Sequence, residues 1–454
     1  MMKYGMNDLL RRNSDLDQDE IDRILDKTIP ESIARRGRTT IDAFLAPVRD
    51  VLNRRIFPEK SMTDSQLELM VQILSSMDTD KDPEAARVGE REGRVVSPYV
   101  ASLAADFNHG VGRSGQLASP QPKAAGASLM QQIANSTALD AIRKLGLSNV
   151  KAGLVTPVST GMSIALVLGA IRRELGIKKI LYPRIDHTSP KRGIALAGLE
   201  EVQIPTIIDD DAVRLDMTAF EKSINDTESC GVLATTTFFP PRESDPVKSI
   251  AHLCSDNEIP FVINNAYGVQ SEDIMKEIRS AIDAGRVDAV IQSSDKNFLT
   301  PVGGSIVVSP NPSIIEWTSD TYAGRASAAP IIQTLSALLS LGHERYKELQ
   351  KEQVDNLALL KDHLQDIAGK LGQRVLNVRN HVACAITLDN LDVHEIGARL
   401  YNARVTGPRT VMSGEYGSSV DNYPHSYIVM NAAIGARKVD IETATAKFYK
   451  EASK

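Results

Sequence analysis

A lysine between two apolar runs is where chemistry first becomes legible in this sequence. Lys296 stands in SSDKNFLTPVGGS (293–305), with VDAVIQ before it and SIVVS after its second half. Lysine is seldom buried without a partner, because its charge is costly to desolvate. Burial disfavours the ammonium form and leaves an amine ready to attack a carbonyl. Three other places share this pattern of a reactive group at the end of an apolar run. STGM (159–162) turns from one such run into a helical pattern, so its backbone amides and the helix dipole suit a phosphate. His187, in PRIDHTSP, and Asn264, in VINNAYG, each close another run. Taken singly, each has an ordinary reading: a tight turn, a loop or cap histidine, a turn held by amides.

Taken together they match one set of needs. Pyridoxal phosphate requires a lysine for its Schiff base, a phosphate cup, a flat group against its ring and a partner for the pyridine nitrogen. Thr160, Gly161 and Met162 supply the cup, His187 the flat group, Asn264 the pyridine partner and Lys296 the amine. This chain order is that of the aspartate-aminotransferase-like, fold type I, enzymes. Their pyridine partner is usually Asp in D-x-A-[HY]; here the motif is Asn264-Asn265-Ala266-Tyr267.

A second set is rich in arginine. VGEREGRVVSP (88–98) and HGVGRSGQLASPQPKAAG (109–126) lack periodicity and are bracketed by glycine. Guanidinium groups bind phosphate in a bidentate way, so Arg113 and its neighbours read as an anion clamp. A polar surface loop is the alternative. Arg325, in YAGRASAAP, adds a further arginine among small residues.

The elements that must position these groups alternate. Helical periodicity covers 128–146, and an apolar run at 152–158 reads as a strand. TGMSIALVLGAIRREL (160–175) reads as a helix with Thr160 as its N-cap. Strands follow at 178–184, 231–238 and 260–266 with helices between them, then the strand pair around Lys296. Such alternation predicts an α/β fold, a mostly parallel sheet with helices on both faces. In such sheets ligands gather at the carboxyl ends of strands. A long amphipathic region, 334–371, opens a smaller C-terminal α/β domain. The expected division is an N-terminal helical extension (1–60), a large cofactor-binding domain (61–334) and a small domain (335–454).

Composition sets the outer bounds. The chain has 454 residues, 42% hydrophobic and 24% charged, and a formal charge of -6, ordinary for a soluble globular protein without a global footprint for nucleic acid. No apolar run approaches the ~18 residues of a membrane span, and the charged N-terminus lacks a signal-peptide core. The expected location is the cytoplasm. Cys230, Cys254 and Cys384 are widely spaced, which argues against disulfides and structural zinc. Residues 1–60 look self-contained and hold 12 Lys/Arg against 11 Asp/Glu. Their basic residues cluster from Arg35 to Lys60, either a solvated face or an arm for RNA or a partner subunit.

GEREGRV, GRSG…QPKAAG, TGMS, PRID, NNAYGVQ, SDKNF-x-x-PVGG and GRASA-x-P occur in this order. Together they resemble the O-phosphoseryl-tRNA(Sec):selenocysteinyl-tRNA synthase family (SepSecS), from about residue 88 to 345, with a weaker echo in NYPHSYIVMNAAIGARK. The compact length resembles the archaeal members. The resemblance implies a homotetramer with active sites between paired protomers. It implies conversion of phosphoseryl-tRNA(Sec) and selenophosphate into selenocysteinyl-tRNA(Sec): Lys296 removes the α-proton, phosphate leaves the β-carbon, and selenium adds to the resulting dehydroalanyl-tRNA. It further implies that Arg91 reaches the cofactor phosphate of the neighbouring subunit and that Glu90 discriminates among substrates. Arg113, Ser114, Gln121 and Arg325 would hold the substrate's phosphate. The segment SGEYGSSVDNYP (413–424) looks shorter than in eukaryotic members, where this region lies near the tRNA acceptor end. No tRNA contact is therefore assigned residue by residue; Arg409 is a candidate. Two other readings remain open from the residues. One is a phosphoseryl-tRNA:cysteinyl-tRNA synthase or a cysteine-desulfurase-like enzyme, the latter needing a mobile nucleophilic cysteine. The other is an RNA-binding assembly protein that does no chemistry.

Overall fold

The computed structural model describes residues 18–454; the first part of the expected N-terminal extension, residues 1–17, lies outside the described residues. The main sheet is built from β1 (Ala152–Thr156), β2 (Lys179–Pro183), β3 (Glu200–Ile204), β6 (Cys230–Thr235), β7 (Phe261–Asn264), β8 (Ala289–Ser293) and β9 (Ser305–Ser309). A hairpin of β4 (Thr206–Asp209) and β5 (Ala212–Leu215) sits apart from it. The order in the main sheet is β1-β9-β8-β7-β6-β2-β3. Only β9 runs antiparallel to its neighbours, β1 and β8; the other pairs are parallel. Strands β6, β8 and β9 are buried along their whole length, as expected where helices cover both faces of a sheet. A second sheet, β10 (Ala383–Thr387), β12 (Tyr427–Asn431) and β11 (Arg409–Val411), is antiparallel and belongs to the C-terminal region.

The run at 231–238 is a strand only as far as Thr235. Beyond it come Phe238, Phe239 and two prolines, and proline cannot donate to a ladder. The helix at 160–175 spans Thr160–Leu175, but its N-cap is Ser159, not Thr160. Thr160 is the first helical residue, which leaves its hydroxyl free for another use. Strand β3 gave no apolar run because EEVQI is a half-exposed edge strand with two acids.

The long C-terminal helix spans Ala329–Lys370 and breaks at Gly342, where φ is 60° and ψ 171°. The reason is a crossing chain. Met62 N donates to Leu339 O at 2.9 Å and His343 N to Pro58 O at 2.9 Å. A Cβ on Gly342 would stand 2.7 Å from the Lys60 carbonyl carbon. The expected boundary at 334/335 falls inside this helix.

Packing corrects the expectation that residues 1–60 are self-contained. Val48, Val51 and Phe57 join the main core with Met70, Ile133 and Leu338. Phe57 N donates to Asp140 at 2.9 Å and its carbonyl accepts from Lys144 at 2.6 Å. A separate C-terminal core gathers Leu364, Ile386, Ile428 and Phe448.

Candidate active site

Strand β8 ends at Ser293 and the chain turns at once into a short helix, Ser294–Phe298, that carries Lys296. Asn297 fixes this turn: its Nδ2 donates to Ser293 O and to Ala266 O, both at 2.8 Å. Lys296 lies 4.2 Å from the centre of the Tyr267 ring. Burial lowers the pKa of the amine below the ordinary lysine value, and neighbouring Asp295 acts in the opposite direction. A larger share of the group is therefore uncharged at a given pH than for a free lysine.

The cavity in front of Lys296 is lined by Thr160, Gly161, His187, Thr237, Phe238 and Asn264, among others. Five of the expected cofactor residues thus meet in one place. His187 is a helix cap, one of its two expected readings, and it also lines this cavity. Its Nδ1 accepts from Ser189 N at 3.2 Å, capping the helix Thr188–Leu196, and its ring meets Phe238 edge-on at 6.1 Å. Part of the imidazole is open to solvent, yet crowding lowers its pKa, with the positive Lys296 and Arg409 adding to the effect. Because Nδ1 accepts a backbone N–H, the ring hydrogen is assigned to Nε2.

Three oxygens that line this cavity are buried and have no partner: Thr160 Oγ1, Thr237 Oγ1 and Asn264 Oδ1. Buried polar atoms without partners are rare in folded proteins. The other half of the Asn264 amide donates to Thr235 Oγ1 at 3.4 Å; flipping the amide would exchange the two atoms and still leave one for the cavity. The helix Thr160–Leu175 points its N-terminus here without a side-chain cap, so its first N–H groups are available. Gly161 packs closely on the next helix: a Cβ there would meet Ser189 Oγ, which would have to turn away. Met162 was expected beside them, but its side chain is exposed and does not line the cavity.

Behind Thr235, which lines the cavity, stands a buried ion pair, Arg242 with Asp245. Asp245 Oδ2 accepts from Thr235 N at 2.8 Å, and Arg242 Nε donates to Arg184 O at 3.1 Å. One pair thus ties the ends of β6 and β2 together.

Glu90, Arg91 and Arg325 form a second group, in a pocket of about 250 Å³ with Glu92, Arg94 and His109. Arg325 donates to the His109 carbonyl, while its buried Nε has no partner. Arg113 and Ser114 are exposed on the turn between Val111 and Gln116, and Gln121 Nε2 donates to Gly112 O at 3.4 Å. These three line neither pocket. A surface cleft of about 710 Å³ between Arg214, Lys276 and Arg379 is lined by none of the expected site residues.

Sequence reasoning missed Tyr267, Thr237 and Phe238 as lining residues. Tyr267 was written in the NNAYG motif; Thr237 and Phe238 were hidden because the strand was read through them. Chemically, the cavity offers an amine depressed by burial, a flat neutral ring, an uncharged amide and a helix N-terminus. That set suits a planar, phosphorylated carbonyl compound.

The family model for O-phosphoseryl-tRNA(Sec) selenium transferase, SepSecS, matches residues 77–452. The O-phosphoseryl-tRNA(Sec) selenium transferase of Methanopyrus kandleri is 43% identical, over 93% of this chain and 98% of the relative. That of Methanococcus maripaludis is 41% identical, over 95% and 99%. A crystal structure of an archaeal O-phosphoseryl-tRNA(Sec) selenium transferase superposes with a TM-score of 0.90 at 41% identity, covering 93% of this chain and 98% of that one. A sphingosine-1-phosphate lyase of Burkholderia pseudomallei shares the fold alone, at 13% identity and a TM-score of 0.58 over 94% and 91%. The architecture is thus the fold type I architecture, and this chain belongs to the O-phosphoseryl-tRNA(Sec) selenium transferase family.

Proposed function

We propose that the chain converts O-phosphoseryl-tRNA(Sec) into selenocysteinyl-tRNA(Sec), with selenophosphate as selenium donor and pyridoxal phosphate held at Lys296. The observation that carries this reading is the meeting of the Lys296 amine with the partnerless oxygens of Thr160, Thr237 and Asn264 in one cavity. Family membership adds the substrate.

The residues fit the cofactor. Thr160 and the first amides of its helix would hold the phosphate, His187 would lie against the ring, Asn264 would face the ring nitrogen, and Lys296 would form the covalent link. Pyridoxal phosphate, when bound, supplies an electron sink for the α-carbon of an attached amino acid. Lys296 then serves as the base for the α-proton. Its depressed pKa suits it to this, since a base works best with a pKa near the operating pH. Asn264 brings no charge to the ring nitrogen, so the sink is weaker than with a carboxylate. Phosphate is a far better leaving group than hydroxide, and the weaker sink suffices for it.

We place the substrate's phosphate among Arg325, Arg113, Ser114 and Gln121, with Arg91 and Glu90 serving the neighbouring subunit's cavity. Within one protomer these residues stand apart from Lys296, which agrees with a site shared between copies. A continuous stretch beside Arg91 also exposes large apolar side chains: Val96, Tyr99 and Leu103 are 89%, 73% and 60% exposed. Such patches mark interfaces, and a homotetramer would cover this one. We assign 61–334 to cofactor binding, 335–454 to the small domain and the N-terminal segment to assembly and tRNA. No described helix is long and apolar enough to cross a membrane, and we propose a cytoplasmic location. The desulfurase alternative is disfavoured, because Cys230, Cys254 and Cys384 are all buried and burial pushes each thiol pKa up, that of Cys384 to about 11.

Single-turnover conversion of phosphoseryl-tRNA tests this placement. Arg113→Ala and Arg325→Ala should each lose about 2–5 kcal/mol of transition-state binding if their charge pairs are buried, while keeping the cofactor's visible absorption. Lysine at either position should rescue only partly, since it lacks the planar fork. Near-normal turnover with both alanines would mean that the phosphate is held elsewhere.

A further inference from the structure

Three loops carry arginines of the proposed phosphate site: 88–98 with Arg91, 109–126 with Arg113, and the turn that holds Arg325. Beneath them lies a buried ionisable pair, Asp80 with His109, whose side chains are 3% and 0% exposed.

Each loop is tied to this pair. Arg87, at the start of the first, donates to Asp80 O at 3.2 Å. Gly93 in the same loop packs on both side chains: a Cβ there would stand 2.6 Å from Asp80 Cβ and 3.1 Å from His109 Nε2. His109 opens the second loop, and its carbonyl accepts from the Arg325 guanidinium. Val111 and Ala326 then exchange backbone hydrogen bonds at 3.0 and 3.2 Å. His109 therefore sets where the Arg325 side chain rests.

Several polar atoms of the cluster are left open. Asp80 Oδ2 accepts from Lys81 Nζ at 2.6 Å and from Asn108 Nδ2 at 2.7 Å. Its Oδ1 has no hydrogen-bond partner among the described residues and lies 3.7 Å from His109 Nε2. Thr79 Oγ1 stands 3.4 Å from Nε2 and gives its own hydrogen to Lys123 O at 3.0 Å. The ring hydrogen is therefore assigned to Nε2. That leaves a bare lone pair on the buried Nδ1, which has no partner. Arg325 Nε has none either. Buried polar atoms without partners are rare, and three in one cluster suit a site that changes its charge.

The surrounding charges say which change. Burial holds the His109 pKa below its ordinary value; Asp80 and Glu92 oppose this, while Arg325 and Lys123 add to it. Lys81 pairs with Asp80, and Lys123 with Glu92. Arg91 and Arg94 line the same pocket as Arg325. A doubly charged anion beside Arg325 would offset the pull of that arginine on the imidazole and move it toward the imidazolium.

We propose that Asp80 and His109 position Arg325 for the substrate's phosphate, and that His109 takes a proton from solvent as the phosphate docks. This rests on the phosphate placement proposed above. The imidazolium pairs with the open Oδ1 of Asp80, steadies the carbonyl on which Arg325 rests, and adds a positive charge behind the anion.

The test is calorimetric titration of the cofactor-loaded enzyme with sulfate, a dianion whose own charge is constant where histidine titrates. Runs in two buffers of different ionisation enthalpy count the protons taken up. The wild type should take up a fraction of one proton per sulfate. Its sulfate affinity should fall with rising pH by up to about tenfold per unit, the limit for one linked proton. His109→Asn should bind sulfate without uptake and with a flat pH profile. Asp80→Asn, which keeps the shape of the side chain, should shrink the uptake, and it carries the test if His109→Asn does not fold. Sulfate bound by the wild type without proton uptake, or an uptake that the substitutions leave undiminished, would overturn the inference and leave the proposed function standing. No sulfate binding, or an affinity unchanged in Arg325→Ala, would contradict the phosphate placement itself, and the inference with it.

Discussion

The Lys296 amine sits 4.2 Å above the Tyr267 ring, so the cavity's base rests on an aromatic face. Burial lowers the pKa of the amine against the opposing charge of Asp295, and the ring face favours the ammonium form. Removing the ring should push the pKa further down. A cation–π contact of about 0.5–2 kcal/mol corresponds to roughly 0.4–1.5 pH units. Tyr267→Leu should therefore shift the midpoint for Lys296 acylation in the apoenzyme to lower pH by that amount, and Tyr267→Phe should hold it near the wild type. A midpoint that ignores both changes would show that the ring does not act on the amine.

The same burial carries a stability cost with a defined sign. The folded-state pKa lies below the unfolded one, so the unfolded chain binds more protons in the interval between them. Stability of the apoenzyme then rises with pH as this window is crossed toward the ordinary lysine value. Lys296→Met should be more stable than the wild type at neutral pH, and the advantage should shrink as pH approaches about 10.4. Urea titrations at both pH values measure it; a constant difference would place the cost elsewhere.

Arg242 and Asp245 are 1% and 0% exposed. Arg242→Ala would leave a buried carboxylate without its partner, a loss of about 3–5 kcal/mol. Because Asp245 also holds Thr235 N, cofactor affinity should fall along with the denaturation midpoint. A loss below about 1 kcal/mol, the range of surface pairs, would show that water reaches this pair.

The order of chemical groups was legible in the sequence because each closes an apolar run, and in a parallel sheet those ends lie on one edge. What was not legible follows from packing at a distance. Nothing near Val48 or Phe57 announces that they enter the main core, and nothing in SLGHER announces that residues 58–62 cross there and break the helix at Gly342. Thr237 and Phe238 were invisible as lining residues because a strand that stops at a double proline reads, up to that point, like one that continues. Arg113 and Ser114 line neither pocket; the surface they are proposed to serve would belong to a second copy of the chain.

That packing also changes how the basic arm should be tested. Deleting residues 1–60 would remove core side chains, so charge reversal is the cleaner probe. Arg35 and Arg36 are exposed on the helix Glu31–Arg54. The double change to Glu should weaken tRNA binding and reduce the slope of log affinity against log salt by about 0.9 or less per lost phosphate contact. The melting temperature should stay the same. An unchanged salt slope would remove the arm from the RNA interface.

The central claim is that Lys296 holds pyridoxal phosphate, and the visible absorption spectrum of the purified protein mixed with that cofactor tests it most directly. The wild type should show a band above 400 nm, on the order of that expected for a protonated imine of the cofactor, which borohydride abolishes while fixing the label on Lys296. Lys296→Ala should melt like the wild type apoenzyme and show neither the band nor the label. A band of equal strength in Lys296→Ala, or a label on another lysine, would contradict the account.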